Sequence, residues 1–161
     1  KFANVQTALE YRADLIPNYV ATVSGSANFE KSAITEVIQA RAAALQIKQN
    51  IATAKTPEQI DAQSESLSGV IGRLMLLYEA YPSLKSTDQF AKLEDELKAT
   101  EIQLRASRNE YNAAARDYNE VISIIPQTLV ARLAGFTPEK HPMFTVTPGK
   151  ESAPKVAFAE F

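Results

Sequence analysis

Phe90, Leu93, Leu97, Thr100, Leu104, Ser107, Tyr111, Ala114, Tyr118, Val121 and Ile125 recur at alternating spacings of three and four, with neither Pro nor Gly between them. At 3.6 residues per turn, side chains so spaced stay on one helix face, as along a coiled-coil seam. The run predicts one uninterrupted helix, capped by Ser86 or Thr87, closed by Pro126, and roughly 55 Å long at 1.5 Å of rise per residue. A stripe of that length can be buried only against other long helices, so the chain is constrained to an elongated antiparallel helical bundle.

The rest of the chain agrees with an all-α fold. Gly is scarce (5 of 161 residues), Trp is absent, and 45% of the residues are hydrophobic, which is enough for one domain to bury a core without staples. A helix is expected from about Ala3 to Ser24 on Val5, Leu9, Arg12, Ile16, Tyr19 and Val23, with Pro17 kinking it or breaking it near Ile16. Gly25 and Ser26 end it. A second begins near Asn28 and stops near Ala54; Ala33, Val37, Ala40, Ala44, Ile47 and Ile51 form its seam, and Ile34, Ile38 and Leu45 widen that seam toward the core. Thr56, Pro57 and Gln59 then read as an N-cap, a first-turn Pro and the third-residue partner of a capping box, opening a third helix that Pro82 closes. Its seam is Ile60, Ser64, Leu67, Ile71, Leu74, Tyr78 and Tyr81, with Gly69 and Gly72 expected where helices approach closely. The bundle thus occupies residues 1–135, in four long helices with short connections.

Beyond Pro126, Thr128 to Ala134 are long enough for two helical turns, closed by Gly135 as a left-handed residue. From residue 136 to 161 the chain carries Pro138, Pro142, Pro148 and Pro154, yet also Phe136, Met143, Phe144, Val146, Val156, Phe158 and Phe161. So many apolar side chains predict an extended C-terminal tail of the same domain, laid along the bundle with these residues in its grooves.

Charge and motif content exclude several functions. A net charge of −2 and the lack of any Lys/Arg run leave no surface for neutralising phosphates, so no nucleic-acid partner is expected. There is no Cys. Di-metal carboxylate bundles require Glu-x-x-His motifs on two helices, whereas the single histidine, His141, lies in the tail. No Ser or Thr has a visible base beside it and no Gly-rich phosphate loop occurs. We therefore assign no catalytic, cofactor-binding or metal residues and expect no enzyme. Arg12 falls on the first helix's stripe, where its guanidinium needs a carboxylate such as Glu101 or Glu79 unless it snorkels to water. Tyr111 and Tyr118, one heptad apart, are expected to place their rings in the core and their hydroxyls on partners at its rim.

Several segments, taken in order, resemble the LemA family. They are Arg12-Ala13-Asp14-Leu15-Ile16-Pro17-Asn18-Tyr19-Val20, Leu67-Ser68-Gly69-Val70-Ile71-Gly72-Arg73-Leu74, Tyr81-Pro82-Ser83-Leu84-Lys85, the pairs Tyr111-Asn112 and Tyr118-Asn119, Gly135-Phe136 and Ala153-Pro154-Lys155-Val156. The chain departs from the family pattern at Tyr11-Arg12, where two basic residues are common, and at Ala99-Thr100-Glu101-Ile102-Gln103, where members commonly read Gly-Thr-Glu-Asn-Arg. The resemblance implies a bacterial membrane protein with a single N-terminal transmembrane span or lipoprotein signal upstream of a soluble helical bundle; it supplies no reaction. The first helix is already under way at Lys1 without a cap, which predicts that the natural chain begins further upstream. The expected role is a scaffold or adaptor for other membrane or envelope proteins. The alternative is a small molecule or lipid held in a groove along the first helix, opened by Pro17. Self-association through Leu76 and Leu77 is a further expectation.

Overall fold

The computed structural model describes residues 1–24, 31–80, 88–125, 127–137 and 141–145. The described residues form five helices and no strand: α1 (Phe2–Ser24), α2 (Lys31–Thr53), α3 (Pro57–Ala80), α4 (Asp88–Ser123) and α5 (Gln127–Leu133). Thus the two turns expected after Pro126 are a helix in their own right. The stops at Gly25, Ser26 and Pro82, the Ser86 or Thr87 cap, and Val146, Val156, Phe158 and Phe161 lie outside the described residues.

Local signals set several helix ends. At α3 the capping box is formed, with the Gln59 backbone N–H donating to Thr56 Oγ1 at 3.4 Å and the Thr56 N–H to Gln59 Oε1 at 3.3 Å. At α5 the N–H of Phe136 donates to the Ala131 carbonyl and that of Gly135 to the Arg132 carbonyl, while Gly135 takes φ +73°, the Schellman arrangement that glycine adopts without strain. The end of α2 is closed from another helix: Gln6 Nε2 of α1 donates at 3.0 Å to the carbonyls of both Ile51 and Ala54. Carbonyls that have lost their helical donors are satisfied in this way.

Of the kink or break expected at Pro17, the break near Ile16 does not occur, and α1 runs through it. Pro in a helix interior costs about 3 kcal/mol or more. Leu15, Ile16, Tyr19 and Val20 around it are all at most 3% exposed, and burial of four large side chains offsets that cost. α1 is buried on a wide arc because it is flanked on two sides, by α2 and by α4. Lys48 Nζ of α2 meets the Asp14 carboxylate of α1 at 2.6 Å, and Asn50 of α2 bonds Gln63 of α3 at 3.2 Å. Lys1 faces Glu110 and Arg12 faces Glu101. These pairings make α1 and α2, α2 and α3, and α1 and α4 antiparallel neighbours.

The core is one cluster drawn from α1, α2, α3, the first half of α4 and Phe144, with Val5, Leu9, Ile51, Ile60 and Leu67 fully enclosed. Four expectations are corrected. Ile34, Ile38 and Leu45 do not widen the core seam of α2; they are 41%, 57% and 46% exposed, since among the described residues α2 packs chiefly against α1 and α3. Gly69 and Gly72 have open space where a Cβ would stand, so no helix approaches them. Leu77 is buried, leaving Leu76 alone outside. The α4 stripe is buried at Leu93, Leu97, Thr100 and Leu104 but open at Val121 and Ile125.

Candidate functional site

The described residues concentrate their buried charge where α1, α3, α4 and the tail meet. Arg12 faces α4 because it shares the α1 stripe with Leu9 and Ile16, and its Nη1 lies 2.5 Å from Glu101 Oε2. Glu101 thus takes the partner role that the sequence left between it and Glu79; Glu79 is exposed. Arg105, one turn further along α4, shares Glu101 through Nε at 3.2 Å. Burial lowers the Arg12 guanidinium from its ordinary pKa, Glu101 opposes that effect, and Arg108 and Arg105 reinforce it. Arg12 is therefore held out of open water by one carboxylate, and its Nε is buried with no hydrogen-bond partner among the described residues.

One turn beyond Arg105, Arg108 Nη2 lies 2.8 Å from Asp61 Oδ1 of α3, both side chains being about three-quarters covered. Burial raises the Asp61 carboxyl above its usual range; Arg108 and a hydrogen bond from the Thr145 backbone N–H pull it down, and Glu58 pushes it up. Asp61 therefore ties three elements together, α3, α4 and the tail.

The tail segment is clamped beside this joint. Asn112 of α4 donates through Nδ2 to the Phe144 carbonyl at 3.0 Å and accepts from the Phe144 N–H through Oδ1 at 2.8 Å. A side-chain amide thereby replaces the paired strand that an extended backbone ordinarily needs. The Phe144 ring, 5% exposed, is stacked on Phe2, meets Tyr111 edge-on with centroids 5.1 Å apart, and lies under the Arg108 guanidinium at 5.5 Å. Tyr111 donates its hydroxyl to the Pro142 carbonyl at 3.1 Å, and burial followed by the Glu58 charge raises that hydroxyl's pKa. As expected from the tail's apolar content, Phe144 is buried on the bundle, whereas Met143 stays 42% exposed.

Tyr118 follows its expectation only partly. Its ring meets His141 edge-on at 5.0 Å, but its hydroxyl is buried with no hydrogen-bond partner among the described residues. Sequence reasoning missed Asp61, Arg108 and Asn112. The signal for Asn112 was the repeated Tyr-Asn pair at 111 and 118, which puts a two-sided amide beside each stripe aromatic.

This arrangement binds by geometry, with guanidinium–carboxylate pairs, an amide clamp and an aromatic cradle around one phenylalanine. No group of three or more His, Asp or Glu able to hold a metal ion occurs among the described residues. Ala13, Leu15 and Ile16, where a groove along α1 is expected, are buried, and a cleft of about 610 Å³ lies between α2 and α3, lined by Ala33, Ala40, Ala43, Val70, Leu74 and Leu77 with Glu36 and Arg73. No helix among the described residues is long and apolar enough to cross a membrane. The family model described as LemA family matches residues 1–158. Comparison with curated proteins gives no match.

Proposed function

The chain belongs to the LemA family, and from that premise we propose that it is the helical, non-enzymatic domain of a protein tethered to a bacterial membrane by an N-terminal anchor, acting as a scaffold or adaptor for other membrane or envelope proteins. In this reading α1 to α4 form an elongated antiparallel four-helix bundle, kinked at Pro17, with the tail laid along it as a strap. The observation that carries it is the outward row of Ile34, Ile38 and Leu45 on α2, apolar side chains 41–57% exposed that the core does not use. Exposed apolar residues gathered on one face and rimmed by polar residues are what an interaction surface presents. Photo-crosslinking of the full-length protein in its native membrane, with probes at Ile38 on α2 and Ile102 on α4, tests it. Discrete bands to another protein are expected from Ile38, and their absence from every probe position would contradict an adaptor.

A second reading rests on the cleft between α2 and α3, whose volume falls in the ~300–1,000 Å³ range of ligand sites. Its walls suit the apolar portion of a small molecule or lipid. It predicts saturable binding of a fluorescent fatty-acid analogue that Ala43→Phe, by filling the cleft, abolishes. Non-saturable uptake, or binding unchanged in Ala43→Phe, would remove this reading.

A further inference from the structure

We propose that the far end of α4, together with α5, is a self-complementary surface through which two copies of this chain pair. Val121, Ile124 and Ile125 of α4 and its following turn are 59%, 50% and 78% exposed, and Leu129, Val130 and Leu133 of α5 are 63%, 67% and 91% exposed. No other part of the described molecule leaves so many large apolar side chains open in so short a stretch. Together these residues expose on the order of 700 Å², close to the ~800 Å² that each partner brings to a standard interface.

The described tail does not cover this surface. His141 lies at Tyr118 while Phe144 and Thr145 lie at Asn112 and Asp61, so the strap runs toward Arg108 and away from Val121. The surface is also shaped for its own copy. Leu133 stands almost wholly clear as a knob, and a recess of about 350 Å³ opens between Val121, Ile122, Gln127, Val130 and Ala131. A two-fold contact uses one patch twice, so it needs both a projection and a hollow on the same patch, and charges of both signs at its edge. Glu120, next to Val121 in the chain, and Arg132, next to Leu133, are both exposed and carry opposite signs. Each copy's Leu133 then enters the other's recess, and α4 with α5 builds a four-helix contact about the two-fold axis.

Sedimentation of the 161-residue chain across about 1–200 µM decides the matter. The expected result is a reversible dimer whose dissociation constant rises at least ~100-fold in Leu133→Glu, because a two-fold contact buries the new carboxylate twice. Leu133 is exposed, so the thermal midpoint of the dilute variant should stay near that of the parent. Mild oxidation of Ile125→Cys should give a disulfide-linked dimer in a chain that has no other cysteine. A monomer throughout the range would overturn the proposal, as would a dimer that Ile38→Glu dissociates and Leu133→Glu does not.

Discussion

Along α4 one periodic stripe meets two different fates. From Leu93 to Leu104 it lies against α1, and its four members are at most 8% exposed; beyond Tyr111 it is half-covered at Ala114 and Tyr118 and then open, at 59% for Val121 and 78% for Ile125. The changeover falls where α1 starts, since Lys1 is opposite Glu110 and Phe2 opposite Tyr111. The two halves of the helix share a pattern and differ in what lies across from them. Periodicity therefore reports which face is apolar, and only a neighbouring element decides whether that face is core or contact surface.

The largest expected effect separates the halves directly. Leu104→Ala, at a site 1% exposed, should lower unfolding free energy by about 3 kcal/mol in urea titration, whereas Val121→Ala should cost less than about 0.5 kcal/mol at concentrations where the chain is monomeric. Equal losses would break the comparison. Next in size, Arg12→Met should cost about 2 kcal/mol, less than the ~3–5 of a fully buried pair because Glu101 keeps Arg105 and some water. Adding Glu101→Leu to Arg12→Met should recover part of that loss; an unchanged or raised thermal midpoint in Arg12→Met alone would show that Arg12 needs no partner. Asn112→Ala should cost about 1 kcal/mol, as two hydrogen bonds to Phe144 exchange for water, and limited proteolysis should cut the tail near Phe144 faster.

The smallest effect is a pH dependence. The Asp61 carboxyl titrates above its unfolded value, so the folded state holds its proton more tightly. Its contribution to stability is full below the unfolded pKa of 3.8 and is lost as pH rises through the folded value. The parent should lose stability relative to Asp61→Asn as pH rises from acid toward neutrality, by less than about 1 kcal/mol given the solvent that still reaches this pair, about one-quarter exposed. A difference of the opposite sign would mean that the Arg108 pair outweighs burial.

Much of this architecture was legible before any coordinates, and the limits have physical reasons. The Thr56–Gln59 box and Gly135 depend on chemistry within a few residues and appear as expected, and of the outcomes open to Arg12 the structure shows the pair with Glu101. Ile34, Ile38 and Leu45 extend a helical stripe and so read as core, yet among the described residues α2 packs chiefly against α1 and α3. The local cost of Pro17 predicts a kink or break, and the burial around it outweighs that cost enough for α1 to continue. The joint of Asp61, Arg108 and Thr145 was invisible because its members lie far apart in sequence and carry no motif.

Thiol labelling tests the division of α4 most directly, because the chain has no cysteine of its own. Single cysteines at Leu104 and Ile125 are labelled under native conditions, at a dilution where the chain is monomeric. The account predicts that Ile125→Cys reacts near the rate of an unfolded chain and Leu104→Cys at least ~100-fold more slowly, through opening of the core. Protection of both positions to the same degree at every dilution would mean that the end of α4 is covered within the monomer, contradicting the account.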